Sequence, residues 1–385
     1  MNVSRETWTM VRLGDVCEVR GKTVSNFTDL RSIPYVGLEH LNQGGGFLQV
    51  SQVDSEDPKS AKSQFESGDI LFGRLRPNLR KVARASFAGI CSTDIVVLVP
   101  SEQVEAEYLK SYLLTETCLA QVLQRVNGIN LPRISTKDLL QVVIPFPPLA
   151  EQRRIAEILE TSSHQIQQTR NQIQQLEAIL DSLFLTTISE SESSTVLLGD
   201  VCDLFAGSSL PKGQPFEDQE AGILLMKVSD MNSPGNETWI HETKEILVPA
   251  PAKRTNSMAP SGSIVLPKRG AAIHTNKKRI LTRETMLDPN LMAVKSSSGS
   301  LSNNYLYHWF RHYNLSEIAS GSSVPQLNKK DLSPLVLTLP PMQTQFAFDE
   351  ATKGIECHKR LLQRKLRLFE ELHQSLSARA FAGQL

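Results

Sequence analysis

From residue 149 onward the apolar positions form a narrow seam. Ile155, Leu159, Ser162, Ile166, Thr169, Ile173, Leu176, Leu180 and Leu183 recur at alternating steps of four and three, the spacing of a helix that lays one stripe against a partner helix. Gln165, Gln167, Gln168, Gln172, Gln174 and Gln175 fill the outer faces with uncharged, helix-compatible side chains. The pattern opens after Pro147-Pro148, which ends the preceding element because proline fixes φ and withholds a donor. It returns after Pro340-Pro341 as Phe348, Thr352, Ile355, Lys359, Leu362, Leu366, Phe369, His373 and Leu376, with Lys359 and His373 as its polar members.

Ahead of each helix the pattern is different: short β-branched runs are punctuated by Gly, Pro, Asn and Asp, as expected of strands and turns. Core strands are predicted at Ser32 to Leu38 and Gly222 to Val228, with further strands at Asp69 to Phe72, Ile95 to Val99, Ser263 to Leu266 and Leu291 to Val294. Val11 to Val19 and Val196 to Phe205 read as strands that begin each half. Apolar residues at helical spacing cover Ala106 to Arg125 and Asn304 to Ala319.

These parts are a tandem duplication. Leu13-Gly14-Asp15-Val16-Cys17 returns as Leu198-Gly199-Asp200-Val201-Cys202, Gly68-Asp69-Ile70-Leu71 answers Gly262-Ser263-Ile264-Val265, and Gln152 answers Gln345. A repeat this long makes each copy a whole domain rather than a solenoid unit. The expected organisation is a first domain at 1–148, a long helix at 149–188, a linker at 189–196, a second domain at 197–340 and a second long helix at 341–385. Because the order is domain, helix, domain, helix, pairing the two seams requires the helices to run antiparallel. The predicted fold class is α+β: two similar mixed α/β domains separated by two long antiparallel coiled-coil helices in a pseudo-two-fold, circular arrangement. About 33 helical residues span roughly 50 Å, a separation that suits a two-part site on a duplex.

Composition narrows the function. The 385 residues carry 41 basic and 41 acidic side chains, so attraction to a polyanion must come from local clusters. Five cysteines without a Cys-x-x-Cys spacing indicate neither a disulfide framework nor a zinc site. The beginning of the sequence lacks a signal-peptide pattern and no apolar run reaches a membrane span; a cytoplasmic protein is expected.

Two clusters supply basic charge: Arg74, Arg76, Arg80, Lys81 and Arg84 in the first copy, and Lys268, Arg269, Lys277, Lys278 and Arg279, with Arg283 beyond, in the second. Arg74 and Lys268 fall at matching positions. Such clusters attract phosphates, and arginine also reads guanine edges through two hydrogen bonds; a charge run is equally the solvated edge of a strand. Asn42, Gln43, Asn78, Asn127 and Asn276 offer amides suited to adenine, although loop amides often cap turns. No catalytic motif is present. Gly21-Lys22-Thr23 lacks the earlier glycine of a P-loop, since Val16 occupies that position. The residues flanking Pro147-Pro148 and Pro340-Pro341 do not form the Asn/Asp-Pro-Pro-aromatic box that holds a flipped adenine. The histidines, including His40, His241, His274 and His308, show no ligand spacing, and neither a metal site nor catalytic residues are expected.

Leu13-Gly14-Asp15-Val16-Cys17, Gly68-Asp69-Ile70-Leu71 followed by Arg74-Leu75-Arg76-Pro77, Pro147-Pro148-Leu149-Ala150-Glu151-Gln152 opening a long helix, and the terminal Ala380-Phe381-Ala382-Gly383-Gln384-Leu385 resemble the DNA-specificity subunits of type I restriction-modification systems. The resemblance covers essentially the whole chain; its second helix start has Thr344 where the first has Glu151. It implies a non-catalytic reader of double-stranded DNA. Each globular domain would recognise one half of a bipartite site, and the helix pair would set the gap and dock two methyltransferase subunits, with a nuclease/translocase subunit joining. S-adenosylmethionine, ATP and Mg would belong to those partners and no cofactor to this chain. The alternative is a two-headed coiled-coil protein scaffold without DNA contact.

Overall fold

The computed structural model describes residues 8–21, 23–24, 33–48, 51–52, 62–126, 131–217, 221–248, 257–321 and 324–385. Ser32, Lys22 and Asn127, named above, lie outside them. The chain divides into two compact units, Met1–Thr169 with Lys365–Leu385, and Arg170–Arg364.

In the first unit a four-stranded antiparallel sheet has the order Cys17–Val19, Ile95–Pro100, Ile70–Gly73, Val82–Arg84. A five-stranded sheet follows the order Thr23–Val24, Lys62–Phe65, Gly89–Cys91, Pro34–Val36, Ser51–Gln52. Its single parallel pair joins Tyr35 and Val36 to Ile90 and Cys91. Successive side chains of a strand point to opposite faces, and Ile70–Gly73 buries both. Ile70 and Phe72 enter a core with Leu109 and Tyr112 from the helix Ala106–Leu113, whereas Leu71 enters a core with Val36, Phe65 and Val97.

The second unit repeats this scheme with two five-stranded sheets. One has the order Cys202–Ala206, Leu291–Ser296, Ile264–Pro267, Arg279–Leu281, Trp239–Ile240; the other Gln214–Pro215, Glu245–Leu247, Ile223–Met226, Thr285–Leu287, Met258–Ala259. Here Ile264 and Leu266 face one core and Val265 the other. Continuous apolar runs are what a strand covered on both sides requires.

Two expectations are corrected. The strands that begin each half are interrupted by one helical turn, Leu13–Val16 and Leu198–Val201. In that turn the Leu13 and Gly14 N–H groups donate to Val142 O (2.8 Å) and Leu140 O (3.0 Å), and Leu198 and Gly199 donate to Leu335 O (2.8 Å) and Ser333 O (3.0 Å). A Cβ on Gly14 would meet Leu140 at 3.2 Å and one on Gly199 would meet Ser333 at 2.9 Å; close backbone approach therefore accounts for glycine in both copies. The helical stretch at Ala106 to Arg125 is two helices, Ala106–Leu113 and Glu116–Leu123, parted where the Thr115 side chain caps the second by accepting from Cys118 N. Its counterpart is the helix Asn303–His312 followed by a 3-10 turn at Leu315–Glu317.

The long helices are Leu149–Ser189 and Met342–Phe381, and all eighteen seam positions are buried or half-buried. Within the first unit Ile155, Ala156 and Leu159 pack with Ala380 and Tyr108, with Trp8, Leu376 and Phe381 at the margin. Within the second, the ring centroid of Phe184 lies 5.9 Å from that of Phe348, and Lys359 Nζ lies 3.8 Å from Glu177 Oε1; the helix segments there run antiparallel. Each helix start is held by a fully buried glutamine. Gln152 accepts from Glu105 N (2.9 Å) and donates to Gln103 O (3.2 Å) and Pro147 O (2.9 Å). Gln345 accepts from Ser302 N (2.8 Å) and donates to Ser300 O (2.9 Å) and Pro340 O (2.8 Å).

Candidate nucleic-acid interface

In both units the strand that separates the two cores leads into a turn fixed by the same backbone bonds. Arg74 N donates to Asp94 O (2.9 Å), Ile134 N to Arg74 O (3.1 Å) and Arg76 N to Pro132 O (2.8 Å). Lys268 N donates to Asn290 O (2.6 Å), Leu327 N to Lys268 O (2.9 Å) and Gly270 N to Pro325 O (2.8 Å). Leu75 bridges to Arg133, and Arg269 to Gln326. Arg74 thus corresponds to Lys268, Leu75 to Arg269 and Arg76 to Gly270. Both turns then enter a 3-10 helix, Pro77–Leu79 or Gly270–Thr275, and leave it through a left-handed residue, Arg80 (φ 47°) or Asn276 (φ 52°).

That frame sorts the basic residues by what already occupies them. The Arg80 guanidinium reaches Glu116 Oε1 at 2.6 Å and Leu114 O at 3.4 Å, anchoring the turn near the end of the first helix. Asn276 does the equivalent in the second unit, donating to Tyr313 O (3.2 Å) and accepting from Leu315 N (3.0 Å). Lys81 Nζ donates to Leu38 O at 2.6 Å, and Arg84 stands 4.0 Å from Glu107. Lys277 bonds to the Asn232 side chain. Lys278 is buried with Nζ on Tyr313 O at 2.7 Å; burial, and secondarily the Arg311 charge, bring its pKa down to about 7. Arg279 donates to Lys278 O at 2.8 Å, and burial lowers its pKa.

By contrast, Arg74 and Arg76, and Lys268 and Arg269, have no side-chain hydrogen bond or ion pair among the described residues. Arg76 and Arg269 are exposed, Arg74 and Lys268 half-buried. The pKa of Lys268 is lowered first by burial and then by the like charges of Arg269 and Lys329, so this turn carries a positive field. In the first unit a second turn adjoins the first: Gly44 N donates to Leu79 O (3.1 Å) and Gly46 N to Val82 O (2.9 Å). Asn42 is used within that turn, donating to Phe47 O at 3.0 Å. Gln43 and Asn78 are exposed and unpartnered among the described residues. Arg76, Asn78 and Gln43 therefore share one pair of hydrogen-bonded turns. Charge clustering pointed to the region, but Lys329, 60 residues beyond Arg269, could not be joined to it without the fold.

Cys17, Cys91, Cys118 and Cys202 are buried, and burial pushes their thiols up to about 12; they are not nucleophiles at neutral pH. Among the described residues no group of three or more His, Cys, Asp or Glu side chains could hold a metal ion, and no helix is long and apolar enough to cross a membrane.

Residues 5–178 match the family model of the type I restriction modification DNA specificity domain. The EcoDI specificity subunit of a type I restriction enzyme from Escherichia coli is 30% identical over 154 residues, which are 40% of this chain and 34% of that protein. The chain thus spans about a third of that relative in the match. The MjaX specificity subunit of a putative type I restriction enzyme from Methanocaldococcus jannaschii is 22% identical over 91% of this chain and 87% of its own length. Among solved structures, the type I restriction-modification S subunit from M. genitalium aligns over 99% of this chain and 98% of its own with a TM-score of 0.61 at 12% identity, a likeness of fold.

Proposed function

We propose that this chain is a DNA-specificity subunit of a type I restriction-modification system that leaves catalysis to partner subunits, and that each of its two units reads one half of a bipartite duplex site; the family model over residues 5–178 and the similarity to specificity subunits support this reading. One observation carries the reading: the equivalent turn in both units presents two cations without a counter-charge among the described residues, Arg74 and Arg76 in one, Lys268 and Arg269 in the other. Protein cations left unpaired at one place in a repeated fold suit phosphate and base edges, because each contact to DNA releases a condensed counterion. The other clustered cations hold the turns in shape.

The two long helices act as a paired antiparallel strut that gives the molecule a pseudo-two-fold plan and sets the gap between half-sites. The order of parts and the two seams support this reading. Two methyltransferase subunits dock on the strut and a nuclease/translocase subunit joins the complex; S-adenosylmethionine, ATP and Mg serve those subunits in the cytoplasm.

The test is genome-wide mapping of methylated adenine in cells carrying the full chain with its methyltransferase subunits. Arg74→Glu should weaken or alter one half of the motif and Lys268→Glu the other. A heptad inserted after Gln168 and matched by one after Leu361 should lengthen only the gap, by roughly 3 base pairs for ~10 Å of added helix. Methylation independent of both charges and of helix length would leave the scaffold reading standing; that reading also predicts duplex-independent, salt-insensitive assembly.

A further inference from the structure

At the third position of this turn, the fold requires a left-handed backbone. In the second unit Gly270 supplies it with φ 73°, and a side chain there would meet nothing within 4 Å. The first unit places Arg76 at the same hydrogen-bonded position with φ 49°. A left-handed φ disfavours any side chain with a Cβ, and Asn or Asp are the residues that tolerate it best. Arg80, the other left-handed arginine, is explained by its bonds to Glu116 and Leu114. Arg76 makes no such bond among the described residues, is exposed, and so returns nothing to the fold for the conformation it adopts. Strain of this kind, held by surrounding structure without a structural return, marks a functional side chain.

We infer that Arg76 determines specificity in the first half-site by reading a guanine in the major groove, and that Gly270 leaves the second half-site without that contact. The inference rests on the DNA-reading proposal above. A planar guanidinium donates to guanine O6 and N7 together, whereas lysine offers only a point charge. Asn78, exposed two residues further along the same turn, and Gln43 on the adjoining one lie beside it as amide donors and acceptors for neighbouring base edges.

The experiment pairs methylation mapping in cells carrying the full chain and its methyltransferase subunits with thermal unfolding of the purified full chain, for wild type, Arg76→Gly and Arg76→Lys. Arg76→Gly should unfold at the same or a higher temperature, yet relax one G·C position in one half-site, with preference for guanine falling roughly ten- to a hundred-fold. Arg76→Lys should lie between them in preference, and the other half-site should be unchanged in every case. An unchanged motif, or weaker methylation of the same motif, would overturn the inference while leaving DNA recognition by the turn intact; a lower unfolding temperature for Arg76→Gly would overturn the strain argument. Wild-type chain that directs methylation to no defined sequence would instead defeat the parent proposal.

Discussion

The two units share a backbone and differ in the side chains mounted on it. The turn after the central strand is held by the same set of main-chain bonds in both, yet Arg74, Leu75, Arg76 and Arg80 of one become Lys268, Arg269, Gly270 and Asn276 of the other. On the helices Ile166 of the first seam corresponds to Lys359 of the second, whose ammonium is 2% exposed and lies 3.1 Å from Glu356. Ahead of the strand, Asp69 is gripped by Arg20 at 2.8 and 3.0 Å, whereas Ser263 bonds to Pro260 O at 2.7 Å. Main-chain bonds leave side chains unconstrained, so a duplicated frame can carry unlike recognition surfaces. What stays identical is what places the helices: Tyr108 OH and Tyr305 OH bond to Pro145 O and Thr338 O at 2.9 and 2.8 Å, and a buried glutamine holds each long helix.

The identical part should be the most sensitive. Gln152→Ala and Gln345→Ala each delete three hydrogen bonds of a fully buried side chain, one of them wholly buried, and leave their partners unpaired, a loss of about 3 kcal/mol. Chemical denaturation should find the two losses alike; a loss under about 1 kcal/mol for one of them would mean that the clamps are not equivalent. Next is the seam difference. Lys359→Met strands Glu356, which is itself mostly buried, and should cost about 3 kcal/mol, whereas Lys359→Ile combined with Glu356→Leu should recover most of that. If the double variant is no better than the single one, the charge is not what distinguishes the two seams.

A third test is the pH dependence carried by a buried histidine of the second unit. His308 is fully buried among Phe184, Phe348 and Tyr307. Desolvation first, then the charges of Arg311, Lys359 and His312, lower its pKa from 6.5 to about 3. The unfolded chain therefore binds a proton that the folded chain refuses. This contribution is fully present above pH 6.5 and is lost as pH falls from there toward 3. Denaturation midpoints of His308→Leu measured against wild type over that window should show a shallower acid decline, and parallel curves would sink the assignment.

Much of the frame was legible in the sequence because it rests on periodicity. Seven-residue seams, continuous apolar runs at the central strands and repeated Pro-Pro stops are local signals. Leu13–Val16 was not legible as helix, since four residues are too few to show a period and Val16 and Cys17 continue a strand-like run. Nor could composition separate Arg76 from Arg80. The difference lies in Glu116 and Leu114, 36 and 34 residues beyond Arg80, and a long-range partner leaves no mark beside the residue it occupies. Burial hid Lys278 in the same way: its charge is visible in the sequence, but the Tyr313 carbonyl that holds it is supplied by tertiary contact.

Each glutamine clamp removes a swivel. With three bonds spread over the loop behind and the prolines beneath, the first turns of a long helix have no freedom to pivot against the sheet they leave, so the helix behaves as a handle welded to its blade. Force or torsion applied to the first turns of that handle is passed into the domain behind it instead of being dissipated at the joint.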